Sequence, residues 1–166
     1  MRTIRTCFLL ALFALAAAGA RAEEKNRIPE AVQAALEKAE SFTLYSLDPR
    51  EREEKPKDAF HGYAVLGQTE VKEAETRKEL LAAFKKGVEE NQGEMAKCFE
   101  PRHGIRVKDG ETTHDLVICF ECLQVLSYRD AKEEREQHFL VSASPQPAFD
   151  AVLKAAGVKL APKPGE

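Results

Sequence analysis

The chain alternates between segments with helical spacing of apolar residues and segments with the apolar runs of β-strands. Apolar residues recur every three to four positions in three segments, which predicts helices over residues 29–39, 74–92 and 145–156. Alternating or continuous apolar runs, bounded by Gly, Pro and Asp, predict strands over residues 41–47, 60–71, 96–107, 112–127 and roughly 135–142. The order α-β-β-α-β-β-β-α, with short turns between strands, predicts an α+β domain. We expect an antiparallel sheet of about five strands, with the helices mainly on one face.

The clearest turn signal is Asp109-Gly110, which lies between two apolar alternations. Asp-Gly is among the strongest short-range hairpin signals. With these two residues as the loop, opposing positions sum to 219, which places His103 opposite Leu116. Side chains alternate between the two faces of a strand. The apolar, core-facing side of this hairpin is then predicted to carry Phe99, His103, Ile105, Val107, His114, Leu116, Ile118 and Phe120.

The other side of the hairpin is predicted to be polar and to carry two of the cysteines. A regular strand puts Cys119 and Cys122 on opposite faces, and one extra residue near Glu121-Cys122 would bring the two sulfurs to the same face. A β-bulge at that point is therefore expected. The residues of this polar side are Cys98, Glu100, Arg102, Arg106, Asp115 and Cys119.

The first 22 residues have the features of a secretory signal peptide. Two arginines precede an apolar run from Cys7 to Ala18, and Ala20-Arg21-Ala22 supplies a cleavage pattern. The run is too short to span a bilayer, so no transmembrane anchor is expected after cleavage. We expect export to the periplasm or cell exterior, a single domain over residues 23–159 and a flexible tail over 160–166.

The charge of the mature chain argues against one class of partner. Without residues 1–22, 22 Lys and Arg face 28 Asp and Glu, for a net charge of −6. A nucleic-acid backbone is bound by a positive surface, so no nucleic-acid partner is expected. The 144 residues that remain are enough for one domain with its own core.

Three cysteines remain in the mature chain, and three kinds of chemistry fit them. An odd count in an oxidising compartment allows one internal disulfide and one remaining thiol. A bridge from Cys98 to Cys119 or to Cys122 suits a hairpin, whereas a 119–122 bridge needs a turn. Alternatively the three thiols, with His103 as a fourth ligand, fit zinc. Thiol redox chemistry is the third reading, although reactive C-x-x-C pairs usually lie at a helix N-terminus.

The charged residues beside the cysteines also allow two readings. Arg102 and Arg106 could hold an anionic ligand together with Glu100 and Asp115, or the four could form ion pairs among themselves. The sequence contains no P-loop, nucleophile elbow or H-E-x-x-H motif. Our first expectation is therefore a non-enzymatic binding or interaction protein with a structural cysteine cluster and no cofactor. A zinc-type metal-binding protein is the alternative, and a thiol oxidoreductase comes third.

Two segments carry a resemblance to a protein family. Cys98-Phe-Glu-Pro-Arg-His-Gly104 and Ile118-Cys-Phe-Glu-Cys122 resemble segments of an uncharacterised family of exported bacterial proteins. The strand Phe60-His-Gly-Tyr-Ala-Val-Leu-Gly67 resembles the same pattern, so the similarity covers roughly residues 42–127. The resemblance implies export from a bacterial cell and implies no catalytic role.

Overall fold

The computed structural model describes residues 26–50, 56–130, 132 and 137–162. The predicted signal peptide, part of the charged loop after Pro49 and the last four residues of the predicted tail lie outside these ranges. Among the described residues, no helix has both the length and the apolar character needed to cross a membrane.

The described residues form a six-stranded antiparallel sheet and three helices, so the predicted α+β class is confirmed. The strands are hydrogen-bonded in the order β2-β1-β3-β4-β5-β6. The elements in chain order are α1 (Glu30–Lys38), β1 (Phe42–Asp48), β2 (Ala64–Val71), α2 (Ala74–Glu90), β3 (His103–Asp109), β4 (Thr112–Cys119), β5 (Gln124–Arg129), β6 (Gln137–Leu140) and α3 (Gln146–Ala155).

The predicted strand over 112–127 is two strands, β4 and β5, which raises the number of strands to six. The chain reverses through a turn over residues 120–123, and Cys119 pairs with Gln124 across it. Leu123 takes a left-handed conformation with φ 60° there. The expected bulge near Glu121-Cys122 is therefore wrong, because the two cysteines are brought together by a chain reversal.

The hairpin of β3 and β4 forms as expected, but its register differs by two residues. Ile105 lies opposite Leu116, so opposing positions sum to 221 and the loop consists of Gly110 and Glu111. Gly110 has φ 60°, a conformation that costs glycine little. Because the shift is even, every side chain stays on its predicted face of β3 and β4.

All three helices contribute to a core on one face of the sheet, as predicted. Buried side chains from α1, α2 and α3 pack against inward-facing residues of β1, β3, β4 and β5. The central members, all at most 2% exposed, are Val32, Leu44, Leu80, Phe84, Ile105, Leu116, Ile118, Phe149 and Leu153.

A second, smaller apolar cluster lies on the sheet face opposite the helices. A short turn, closed by the bridge between Phe60 and Tyr63, places Phe60 against Tyr45, with ring centroids 4.4 Å apart. Phe99 packs against this cluster, so its predicted place on the helix-facing side is wrong. The reason is that the segment before His103 leaves the sheet: Pro101 lacks a backbone N–H for the ladder, and β3 begins only at His103.

Candidate functional site: a cluster of three cysteines

The three cysteines of the predicted mature chain converge at the turn between β4 and β5. Cys119 ends β4, Cys122 lies in the turn, and Cys98 lies in the segment that precedes β3. The sulfurs of Cys119 and Cys122 are 2.34 Å apart, a disulfide-distance pair. The Cys98 sulfur lies 2.6 Å from the Cys122 sulfur. Cys122 therefore contacts both other cysteines.

The segment around Cys98 is held against this turn by backbone and side-chain hydrogen bonds. The N–H of Ala96 donates to the carbonyl of Cys122 at 3.1 Å. The Gln124 side-chain amide donates to the carbonyls of Ala96, at 2.6 Å, and Cys98, at 3.1 Å. These bonds replace the strand pairing that was expected for residues 96–102.

Polar groups of the backbone also contact the sulfurs directly. The N–H of Glu100 donates to the Cys122 sulfur at 3.3 Å, and the N–H of Cys122 donates to the Cys119 sulfur at 3.1 Å. The Glu100 carbonyl lies 3.4 Å from the Cys119 sulfur, in position to accept from a thiol. Hydrogen bonds donated to a sulfur favour its thiolate form.

The three cysteine residues differ in their exposure to solvent. Cys119 and Cys122 are buried, at 1% and 0% exposure, whereas Cys98 is exposed. The disulfide-distance pair differs from the predicted bridge of Cys98 to Cys119 or Cys122, because the turn supplies the reversal that a 119–122 bridge needs. The contact of Cys98 with Cys122 leaves the predicted bridge as a second possible pairing.

His103, the fourth ligand suggested for zinc, lies on the helix-facing side of the sheet. Its Nε2 is 2.9 Å from Asp150 Oδ1, and its ring packs edge-on against Phe120 and Phe149. Within the described part of the chain, no group of three or more His, Cys, Asp or Glu is arranged to hold a metal ion. Thiolates that share a tetrahedral zinc lie about 3.8 Å apart. The Cys98 and Cys122 sulfurs would have to separate before they shared a metal, and the zinc set stays a prediction.

The Arg102 side chain contacts three other residues of this protein. Its Nη1 donates to Glu121 Oε2 at 2.8 Å, its Nε donates to the Pro162 carbonyl at 2.8 Å, and its Nη2 is 3.6 Å from Glu100 Oε2. The side chain is 9% exposed. Arg102 therefore ties the cysteine turn to the start of the predicted tail, of which Leu160 packs against the core. This arrangement matches the ion-pair reading of Glu100 and Arg102.

Arg106 and Asp115 pair with each other directly across β3 and β4. Arg106 Nε and Nη2 each donate to a different oxygen of Asp115 at 2.7 Å, and His61 Nε2 lies 2.7 Å from Asp115 Oδ2. Burial alone raises the pKa of Asp115, but the hydrogen bonds from Arg106 and His61 outweigh it and hold the pKa below the usual value. The His61 ring also stacks on the ring of Tyr128, with the ring centroids 3.8 Å apart. This cluster fastens the 60–63 turn to the sheet.

Sequence reasoning missed three residues of these clusters. Glu121 and Gln124 were placed in a continuous strand, so their contacts with Arg102 and with the Cys98 segment were not foreseen. His61 falls within the predicted strand 60–71, but it lies in a turn with φ 50° and its ring contacts Asp115. The adjacent Gly62 was the one signal for that turn.

The fold and the site together define a small α+β domain with a buried pair of cysteines and a third, exposed cysteine in contact with it. No family model, curated protein or solved structure matches the chain.

Proposed function

We propose that the protein is an exported thiol–disulfide exchange protein in which Cys122 changes partner between Cys119 and Cys98. One observation carries this proposal: the sulfur of the exposed residue Cys98 lies 2.6 Å from the sulfur of the buried Cys122, which is already within disulfide distance of Cys119. Thiol–disulfide exchange requires this kind of approach of a thiol to one sulfur of a disulfide.

The internal step conserves electrons and needs no external oxidant. The Cys98 thiolate attacks the Cys122 sulfur, the bond between Cys122 and Cys119 breaks, and Cys119 leaves as a thiolate. The proton lost from Cys98 is balanced by the proton that Cys119 gains. The product is a disulfide between Cys98 and Cys122 with a thiol at Cys119, and the reverse step restores the first pairing.

Each pairing leaves its remaining thiol beside an acceptor. With Cys119 and Cys122 joined, the Cys98 thiol donates to the Cys122 sulfur. With Cys98 and Cys122 joined, the Cys119 thiol is positioned to donate to the Glu100 carbonyl at 3.4 Å. The N–H of Cys122, 3.1 Å from the Cys119 sulfur, stabilises the leaving thiolate. Neither pairing leaves a buried thiol without a partner.

The two pairings differ in what they offer to other molecules. A disulfide between Cys119 and Cys122 is enclosed, because both residues are at most 1% exposed. A disulfide that includes Cys98 has one partner on an exposed residue, where a thiol of an exported protein or a small thiol can attack the Cys98 sulfur. Attack there forms a mixed disulfide with Cys98 and releases Cys122 as a thiolate. A second thiol of the same partner then displaces Cys98, which leaves the partner oxidised and this protein reduced by two electrons.

This proposal departs from the first sequence-based expectation, a binding protein with a structural cysteine cluster. The sequence placed Cys119 and Cys122 inside a strand and away from any helix N-terminus, so thiol redox chemistry came third among the expectations. The turn over 120–123 changes that, because it puts the pair at the end of a hairpin and in contact with the thiol of the exposed residue Cys98.

The experiment compares how fast dithiothreitol reduces the wild-type protein and two variants that each retain a single possible bridge. Cys98→Ser leaves only the enclosed 119–122 bridge, and Cys119→Ser leaves only the 98–122 bridge. We expect Cys119→Ser and wild type to be reduced at least about ten times faster than Cys98→Ser, since exposure of the attacked sulfur controls access. Wild type that is reduced as slowly as Cys98→Ser would mean that no exchange occurs and that the disulfide is structural.

A further inference from the structure

The side chain of Gln124 spans the gap between the cysteine turn and the segment that carries Cys98. Gln124 is the first residue of β5 and lies directly opposite Cys119 in the ladder. Its Nε2 donates one hydrogen bond to the Ala96 carbonyl at 2.6 Å and another to the Cys98 carbonyl at 3.1 Å. Both N–H bonds of the amide are therefore directed at the backbone on either side of Lys97.

The segment held in this way is otherwise open to solvent. Residues 92–98 are all exposed, and they follow the end of α2 without forming a helix or strand. The amide of Asn91 stabilises the start of the segment, because its Oδ1 accepts from Gly93 and Glu94. Near Cys98 itself, the Gln124 amide fixes the backbone carbonyl and so fixes the direction in which the Cys98 side chain leaves the chain.

We propose that Gln124 is a positioning residue that holds the Cys98 thiol over Cys122 and thereby sets the partition between the two disulfide pairings. The inference rests on the proposed exchange function. A thiol held at contact distance attacks with a far higher effective concentration than a thiol on a free loop. The two hydrogen bonds are made with Cys119 and Cys122 at disulfide distance, so the segment is already ordered before the 98–122 pairing closes its longer loop.

Replacing the Gln124 amide with a carboxylate of the same shape removes both hydrogen bonds without changing the size of the side chain. In Gln124→Glu, the carboxylate cannot donate, and its oxygens face two carbonyl oxygens. Without these two bonds the Cys98 segment is free to leave Cys122 in the 119–122 pairing, whereas the 98–122 pairing must still order it. An ordering cost equal to two ordinary hydrogen bonds lowers the ratio of the 98–122 to the 119–122 pairing by about ten- to thirtyfold. The Cys98 thiol, no longer held against Cys122, should react faster with an alkylating reagent.

Gln92→Glu is the matched control. Gln92 is exposed beside the same segment, and its Nε2 donates to the Glu89 carbonyl at 3.3 Å, away from the cysteines. The control introduces the same charge change in the same part of the protein. It should leave both the pairing ratio and the alkylation rate of Cys98 unchanged.

Oxidised wild type, Gln124→Glu and Gln92→Glu are quenched with acid, and their free thiols are alkylated. Mass spectrometry of the tryptic peptides then measures both pairings. Urea unfolding of the three proteins checks that Gln124→Glu is folded. A tenfold or larger fall in the 98–122 pairing in Gln124→Glu alone, with faster alkylation of Cys98, is the expected result. If folded Gln124→Glu has the same pairing ratio and the same alkylation rate of Cys98 as wild type, the role of Gln124 is overturned while the exchange remains intact. Absence of the 98–122 pairing from wild type itself would overturn the proposed function and this inference together.

Discussion

Removing the charge of Asp115 tests whether the cluster with Arg106 and His61 stabilises the fold. Asp115 is 0% exposed and receives two hydrogen bonds from Arg106 and one from His61, all at 2.7 Å. In Asp115→Asn, the amide group presents a donor where these partners also donate. The substitution therefore leaves cationic or polar groups without their acceptor.

The expected loss of stability follows from the burial of Asp115, Arg106 and His61. Removing one member of a buried ion pair typically costs about 3–5 kcal/mol, because the remaining charge is left unpaired. The Arg106 side chain is 34% exposed and regains water, which places the expected loss near the lower limit, at about 3 kcal/mol. That is a large part of the roughly 5–15 kcal/mol that holds a typical domain folded.

The pH dependence separates this ionic contribution from a loss of packing. The pKa of Asp115 lies below its usual value in the folded protein, through the hydrogen bonds that outweigh burial. A carboxyl with a lowered folded pKa stabilises the protein above its unfolded pKa, about 3.9, and this contribution is lost as the pH falls through the folded value. The difference in unfolding free energy between wild type and Asp115→Asn should therefore be largest at pH 7 and shrink below pH 4.

Urea unfolding at pH 7 and at several values below pH 4 measures this difference. Glu75→Gln is the control, because the pair of Glu75 with Lys78 is exposed and should leave the urea midpoint at pH 7 unchanged. A loss in Asp115→Asn that is the same at every pH, or no loss at pH 7, would refute the ionic account of this cluster.

Two further substitutions test the packing of the core. In Gly87→Ala, the new Cβ would overlap the rigid Pro145 ring, whose Cδ would lie 2.8 Å away, so we expect a net loss of about 1–2 kcal/mol by urea unfolding after the gain in helix propensity. Equal or higher stability would contradict this close approach of α2 to Pro145. In Ser46→Ala, a fully buried hydroxyl that has no hydrogen-bond partner among the described residues is removed, so stability should stay the same or rise by up to about 1 kcal/mol in the same assay. A loss above 1 kcal/mol there would show that the Ser46 hydroxyl is satisfied in solution.

The helices and most strands could be predicted from the sequence because their apolar spacing agrees with the final packing. The periodicity of Leu80, Phe84 and Val88 indicates the face of α2 that packs in the core. The faces of β3 and β4 were also predictable despite the wrong register, since a shift of two residues preserves the alternation.

The cysteine turn could not be predicted, because its residues carry no turn signal. The segment from Leu116 to Val125 is apolar apart from Glu121 and Gln124, and it has no Gly, Pro, Asn or Asp. The reversal leaves Leu123, a bulky residue, in a left-handed conformation. Such a turn is set by contacts distant in sequence, here with Arg102 and the Cys98 segment, which local patterns do not reveal.

The sequence predicted that the three thiols lie on one side of the hairpin, but it attributed this to the wrong backbone feature. A bulge was expected to bring Cys122 to the side of Cys98 and Cys119, whereas a chain reversal brings the three sulfurs together. The four charged residues suggested as ligand-facing were also expected to be able to form ion pairs among themselves. The observed pairs, Arg106 with Asp115 and Arg102 with Glu100, agree with that reading.

The most direct test of the central claim is a peptide map of the oxidised wild-type protein after acid quenching and alkylation. Trypsin places Cys98 in the peptide 98–102 and both other cysteines in the peptide 109–129, so the two pairings give different masses. We predict two populations: peptide 109–129 with an internal disulfide and alkylated Cys98, and the two peptides joined with alkylated Cys119. A single population in which Cys98 is always alkylated and never joined to 109–129 would contradict the account.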